Sequence, residues 1–260
     1  MNGLILDVQA AENGASMDVW LVDQSHGARK VNVPWCPSLH VHATKQRLMH
    51  LWAWLEQPEI RDRFGIGLMR MHRSRLSLDA SEVDEVLEID VHNSWSMRKL
   101  AAHIEARGRY DHYTLYSVDA HLAQRFLVEF DMTPFQQVRW DGSSFEVTAC
   151  LDLPELVVMH MAVNYHTNDG FHTDAARIKS VELRGCTSAG IYDLAQPPLH
   201  TIQGPLGEDA RPFLHQLEHL MAELDPDVVI THGGDGLHFP ALIRMAEASN
   251  ITVSLSRDGR

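Results

Sequence analysis

The chain has 260 residues, of which 45% are hydrophobic and 22% charged, with a formal net charge of −13. This much apolar material excludes a mainly disordered chain, and the longest apolar run, residues 156–163, is far shorter than the roughly 18 residues of a membrane helix. The excess of acidic over basic residues argues against a protein that mainly binds phosphate groups.

The first half of the chain predicts strands first and then alternating helices and strands. Apolar runs between turn signals predict strands at residues 4–8, 19–22 and 30–33, with residues 40–42 also extended. Thr44 is a candidate cap for a helix to Leu55, and Ser94 for one that ends at Gly108. Asp119 is expected to cap a third helix. Further strands are expected at residues 85–91 and 112–116, and a hairpin at 136–150.

The second half predicts a different succession, and we place the domain boundary between residues 152 and 153. Strands are expected at residues 156–163, 178–183 and 190–194, followed by a helix at 208–224 and a strand at 228–230. A helix at 238–248 and a last strand at 251–255 complete the pattern. This order favours a ribonuclease-H-like layer, so the fold class is α+β or α/β.

One segment carries a specific motif. From Asp225 to Pro240 the chain reads DPDVVITHGGDGLHFP. It resembles the second exonuclease motif of family B DNA polymerases, D-P-D-[IV]-[IV]-[IV]-T-Y-N-G-D-x-F-D-F-P, and residues 156–164 resemble the strand that holds their first motif, D-x-E. Residues 6–8, Pro37 and residues 118–127 resemble the amino-terminal domain of archaeal-type members.

The resemblance implies the following organisation. Residues 1–152 would form a polymerase-type N-terminal domain, and residues 153–260 a ribonuclease-H-like exonuclease domain. That second domain would be incomplete, because the family's later exonuclease carboxylates and its polymerase motifs would lie beyond Arg260.

The departures from the exonuclease motifs concern its metal ligands. Ala162 and Asn164 stand where the first motif has its aspartate and glutamate. In the second motif, His238 replaces the aspartate and Gly233 the asparagine. A two-metal nuclease needs these carboxylates, so we expect no catalytic residue, metal or cofactor here, with Mg²⁺ confined to active relatives.

The candidates for nucleic-acid contact lie in the first domain. Between residues 44 and 76 basic residues outnumber acidic ones, and the DNA-binding candidates there are Lys45, Arg47, Arg70, Arg73 and Arg75. A solvated helix and loop explains the same charges. Pro37 is a pocket candidate, because the family reads template uracil in its N-terminal domain. Ser38 and Ala10 replace the aromatic residues of that pocket, which argues against uracil sensing.

Three functions are compatible with these features. The first is an N-terminal fragment of a family B polymerase homologue with an inactive 3′–5′ exonuclease site. It would guide single-stranded or primer-template DNA weakly in replication or repair, beside a downstream polymerase domain or a partner protein.

The second is a protein-interaction module built on a dead nuclease fold. The third is a metal-dependent hydrolase that uses His232 and His238, with Asp235 nearby or with the His40 and His42 pair as an alternative metal site. With no basic leader visible and only Cys36, Cys150 and Cys186, far apart, we expect a cytoplasmic, membrane-free protein.

Overall fold

The computed structural model describes residues 1–23, 27–77, 79, 81–148, 156–166, 178–186, 197–205 and 209–257. The chain divides into two compact units, Met1–Pro154 (unit 1) and Glu155–Arg260 (unit 2). Among the described residues the longest helices have 14 residues, and none is long and apolar enough to cross a membrane.

Unit 1 combines strands with helices that follow the predicted order. Its strands are β1 (Asn2–Ala10), β2 (Ser16–Val22), β3 (Ala28–Pro34), β4 (Ser38–His42), β5 (Ile66–Ser74), β6 (Asp84–Val91), β7 (Thr114–Tyr116), β8 (Gln137–Trp140) and β9 (Phe145–Val147). Its helices are α1 (Lys45–Leu55), α2 (Pro58–Phe64), α3 (Ser94–Arg107) and α4 (Leu122–Glu129).

These strands form two antiparallel sheets in the described part of unit 1. The first has the order β3-β2-β1-β8-β9, and the second has the order β5-β6-β4-β7. Side chains of α4 enter the core of the first sheet, where the rings of Trp35 and Phe126 meet edge to face at 5.8 Å.

The second sheet is apolar on one face and polar on the other. Along β6, Leu87 and Ile89 are buried against helices α1 and α3, whereas Glu88 and Asp90 point the other way. Apolar residues of α1 at helical spacing, such as Leu48, cover the buried face. Polar side chains that could bind a ligand therefore lie on the face opposite the helices.

Unit 2 contains three of the predicted strands and the two predicted helices, with differences given below. Its elements are strands β10 (Val158–Tyr165), β11 (Ile178–Cys186), β12 (His200–Gln203) and β13 (Val228–Ile230), helices α5 (Arg211–Leu224) and α6 (Phe239–Ala248), and a π-helical turn at Gly234–His238. The sheet has the order β12-β11-β10-β13; only β10 and β13 of the described pairs run parallel. Met161 and Val181 face the core against α5 and α6, which leaves the opposite face of β10 and β11 polar.

Several predictions of secondary structure are confirmed, and the Asp141–Gly142 hairpin turn is one of them. Trp140 pairs with Phe145 across it, and the Asp141 carboxylate accepts hydrogen bonds from the backbone and hydroxyl groups of Ser143 and Ser144. The predicted strand at residues 190–194 lies outside the described residues. Helix α2 and strands β5 and β12 were not predicted from the sequence.

Two predicted caps are wrong. Asp119 does not cap α4, because that helix begins at Leu122 with His121 at the N-cap position. Helix α3 is capped by Asn93 rather than Ser94, and the Asn93 side chain accepts a hydrogen bond from the backbone N–H of Trp95. In both cases the helix starts at a residue different from the one that the polar side chain suggested.

The predicted last strand at residues 251–255 is also wrong. The segment packs its apolar side chains, Ile251 among them, onto the core of unit 2 without joining the sheet. The backbone N–H of Ser254 donates instead to the carboxylate of Glu218 on α5. The acceptor for this backbone N–H is therefore a side chain rather than the backbone of a neighbouring strand.

Candidate functional site

The polar face of β10 and β11 holds the positions that align with the first exonuclease motif. Ala162 pairs with Glu182, and Asn164 pairs with Ser180, across the two antiparallel strands. Because directly paired residues share one face of a sheet, these four side chains lie together. The alternate residues of both strands face the core of unit 2.

Glu182 places a carboxylate opposite Ala162, and the protein itself binds both of its oxygens. Asn164 Nδ2 donates to Glu182 Oε1 at 3.1 Å and also lies 3.1 Å from Ser180 Oγ. A nitrogen of the Arg184 guanidinium donates to Glu182 Oε2 at 2.9 Å. The carboxylate therefore belongs to a hydrogen-bonded ion pair.

Two glycines shape the turn that leads to His238. Gly233 has a φ of +81°, a left-handed conformation that glycine adopts without strain. A Cβ on Gly234 would lie 2.4 Å from Cγ2 of Thr231, so only glycine fits there. The π-helical turn follows at once and ends on His238, and Pro240 lies in the first turn of α6.

His238 is buried and bonded to the end of β10. The Tyr165 hydroxyl lies 2.8 Å from His238 Nδ1, and the two rings stack with centroids 5.6 Å apart. Burial lowers the pKa of His238, which a hydrogen bond to the backbone of His232 only partly opposes. Burial likewise raises the pKa of Tyr165, so the phenol is protonated and donates to a neutral imidazole.

Two further histidines, His160 and His232, lie close to each other in unit 2. The ring of buried His160 on β10 meets that of His232 at a centroid distance of 5.8 Å. Burial lowers the pKa of His160, and the nearby His232 and Arg184 lower it further against the opposing effect of Glu182. The imidazole rings of His160 and His232 therefore lie near the ion pair of Glu182 and Arg184.

The structure does not bring the predicted histidine metal ligands of unit 2 together. His232 and Asp235 are exposed, whereas His238 is buried and engaged by Tyr165. Within the described residues, the one group of three or more ligand side chains whose ligand atoms all lie within 4.8 Å is His40, His72 and Glu88 in unit 1. His42, the other half of the predicted pair, is not part of it.

The DNA-binding candidates do not form one surface. Lys45 Nζ lies 3.8 Å from Glu85, and Arg73 pairs in register with the same Glu85. Arg70 points to the opposite face of the sheet.

There Arg70 donates to both carboxylate oxygens of Glu88, at 3.1 and 2.8 Å, and lies 3.5 Å from Asp90. Arg47 and Arg75 are exposed, and within the described parts of the chain no carboxylate lies within 4.0 Å of either.

Pro37, the pocket candidate, is buried. Its carbonyl accepts a hydrogen bond from the backbone N–H of Val91, 2.9 Å away. The guanidinium of Arg125 on α4 donates to the backbone carbonyl of the following Ser38. The segment is thus fixed between β6 and α4.

The sequence alone did not single out Tyr165, Glu182 or Arg184. A signal for two of them exists in β11, where polar Ser180, Glu182 and Arg184 alternate with apolar residues. Tyr165 had no comparable signal, because its contact with His238 joins residues 73 positions apart.

Comparisons with known proteins relate the chain to archaeal DNA polymerases. No protein-family model matches the chain. Over 145 residues, 55% of the chain, it is 24% identical to DNA polymerase 1 of Pyrococcus abyssi and to a DNA polymerase of Pyrococcus horikoshii, of which it spans 16% and 10%.

Its fold matches that of the family B DNA polymerase from the hyperthermophilic archaeon Pyrobaculum calidifontis. The TM-score is 0.69 over 100% of this chain and 34% of that one, at 15% identity. The chain thus spans about a third or less of each of these proteins. It has the fold of the N-terminal region of a family B DNA polymerase.

Proposed function

We propose that this chain is the N-terminal region of a family B DNA polymerase homologue whose 3′–5′ exonuclease centre is inactive. Its role is architectural, guiding template or single-stranded DNA in replication or repair. The observation that carries the proposal is the set of side chains at the nuclease positions, Ala162, Asn164 and His238, none of which is a carboxylate.

The residues present do not fit a two-metal centre. In active relatives, Mg²⁺ ions held by carboxylates would activate water and stabilise the leaving oxygen. The methyl group of Ala162 has no ligand atom, and the Asn164 amide donates to Ser180 and Glu182. His238 offers a ring nitrogen, Nδ1, that is already engaged in a hydrogen bond with the Tyr165 hydroxyl.

Glu182 does not restore the missing charge, because Arg184 compensates it. Arg184 and Glu182 are both largely buried, with 14% and 26% of their side chains exposed. Turning Glu182 toward a metal would separate the two charges of this pair in a poorly hydrated place, which costs free energy. The ion pair therefore supports an architectural role over a catalytic one.

DNA is the proposed partner because the DNA polymerases named above share this fold and part of this sequence. Exposed Arg47 and Arg75 are the basic side chains best placed to contact phosphates, since Arg70 is held by carboxylates. With a net charge of −13, the affinity is expected to be weak and sensitive to salt.

Fluorescence anisotropy with labelled single-stranded DNA tests this proposal. At low salt we expect saturable binding, and the logarithm of the affinity should fall linearly as the logarithm of the salt concentration rises. A labelled neutral polymer of similar length serves as the control probe. No binding of DNA at the lowest salt at which the protein stays folded would contradict the proposal.

A protein-interaction module on the same inactive fold is the second candidate. It is favoured by the acidic net charge and by the carboxylates beside Lys45 and Arg70. Absence of salt-dependent DNA binding in the anisotropy experiment, together with an inactive nuclease site, would favour this second function.

A further inference from the structure

The polar face of the second sheet in unit 1 gathers three potential metal ligands from three adjacent strands. His40 lies on β4, Glu88 on β6 directly opposite it, and His72 on β5, two residues beyond the partner of Glu88. All three side chains share one face of the sheet. Their ligand atoms all lie within 4.8 Å of one another.

We infer that His40, His72 and Glu88 form a binding site for a divalent transition metal ion such as Zn²⁺. Two imidazole nitrogens and one carboxylate oxygen are a common zinc ligand set, and water can occupy the fourth position. Imidazole also selects against Mg²⁺, which prefers oxygen ligands. This site is independent of the proposed DNA-guiding function and of the nuclease positions in unit 2.

A buried ring nitrogen of His72 supports the proposed metal site. Its Nδ1 atom is buried, and within the described part of the chain it makes no hydrogen bond. The nearest carboxylate oxygen, Oε2 of Glu88, lies 3.6 Å away. A buried polar atom normally has a partner, and an ion between these two atoms would provide one.

The state of His40 supports the same site. Its ring meets that of His72 edge to face at a centroid distance of 5.7 Å, with the planes nearly perpendicular. A metal ion would bind these imidazoles in their neutral form.

Only small movements would complete the site. Ligand atoms in a tetrahedral zinc site are about 3.4 Å apart, given bonds of about 2.1 Å. The widest separation here, at most 4.8 Å, requires a shift of about 1 to 2 Å, which side-chain rotation supplies. Arg70 donates to both Glu88 oxygens, but its side chain is half exposed, unlike the largely buried Arg184. It would stay hydrated when Glu88 turns toward the ion, and would orient the carboxylate as an outer-shell partner.

Zinc binding to the full chain is best measured by competition with a chromophoric chelator, because weak binding to the other histidines must be separated from binding to this site. We expect one tight site. His72→Gln and Glu88→Gln should each weaken it at least tenfold, while excess Mg²⁺ should not compete. The matched control is His219→Gln, because exposed His219 lies 3.8 Å from Glu223 in a similar surface pair.

A second measurement uses the unsubstituted chain, so its result does not depend on whether the variants fold. On addition of one equivalent of Zn²⁺, long-range ¹H–¹⁵N spectra should shift the ring nitrogens of His40 and His72 and leave those of His219 unchanged. Equal zinc affinity in the His72 variant, or ring shifts spread evenly over the histidines, would overturn the proposal in favour of an ordinary histidine–glutamate ion pair.

Discussion

The hydroxyl of Tyr165 lies 2.8 Å from Nδ1 of His238, and their rings stack at an interplanar angle of 21°. This contact ties the end of β10 to the π-helical turn before α6. The proposed function aligns His238 with a metal-binding aspartate of the exonuclease motif that this segment resembles. Under that alignment, a hydrogen-bonded histidine replaces one of the carboxylates that would bind metal.

Removing the Tyr165 hydroxyl should destabilise the fold. In Tyr165→Phe, the buried Nδ1 of His238 loses its hydrogen bond, and we expect the free energy of unfolding to fall by about 1–2 kcal/mol. Urea denaturation followed by circular dichroism measures this. Tyr110→Phe, at a side chain that is 76% exposed, should unfold like the original chain. Equal stability of the two variants would show that the Tyr165 bond contributes nothing.

Stability should fall as the pH is lowered from 7.5 to 5.5. Burial holds the folded-state pKa of His238 and of His160 below the ordinary value of 6.5. Between the folded and unfolded pKa values the unfolded chain binds more protons, so acid favours unfolding there, whereas above about 6.5 this loss is absent. Urea denaturation across this range measures the effect.

The matched comparison is His238→Gln, which cannot titrate. Its stability should drop less between pH 7.5 and pH 5.5 than that of the original chain. A drop of the same size in both proteins would mean that His238 does not experience the burial described above.

Arg257 should be important for the stability of unit 2. It donates to the carboxylates of Asp225 and Asp227 at 2.5 and 2.9 Å, and the side chain of Asp227 is only 1% exposed. Arg257→Met should lower the free energy of unfolding by about 2–3 kcal/mol, because Asp227 would remain buried without its cation.

The control for this prediction is Arg211→Met. Arg211 pairs with Asp209 at the surface, where both side chains are more than half exposed, so the cost should stay below about 0.5 kcal/mol. Thermal unfolding of the two variants side by side decides whether burial separates them. A larger effect at Arg211 would contradict the prediction.

The basic residues of unit 1 should contribute unequally to DNA binding. Arg47→Gln and Arg75→Gln should each weaken single-stranded DNA binding and reduce the salt slope by about 0.7, the value for one lost phosphate contact. Arg70→Gln should change neither, since Glu88 and Asp90 already occupy that guanidinium. Anisotropy titrations at several salt concentrations test this ranking. Weaker DNA binding in the Arg70 variant alone would contradict it.

Sequence patterns predicted the elements around the segment that resembles the second exonuclease motif. The D-P-D segment predicts β13 and the helix after it, and both are present. The motif also carries a packing role that follows from structure, because Arg257 binds Asp225 and Asp227. At Gly233 and Gly234, a positive φ and a close contact with Thr231 favour glycine.

The contacts between side chains in the candidate site could not be predicted from the sequence, for physical reasons. The pairing of Ala162 with Glu182 depends on the register of β10 and β11, which no local pattern fixes. The register shifts between Asn164 and Tyr165, and such an irregularity re-aims the side chains beside it. The π-helical turn similarly sets the direction of His238, and hydrophobic periodicity does not reveal it.

The most direct measurement is a nuclease assay of the purified chain on 5′-labelled single-stranded DNA with Mg²⁺ or Mn²⁺. Because Ala162, Asn164 and His238 provide no carboxylate for these ions, we expect the labelled strand to stay at full length over hours at micromolar protein. A metal-dependent ladder of products shortened from the 3′ end, present with the original chain and absent with His238→Ala, would contradict this expectation.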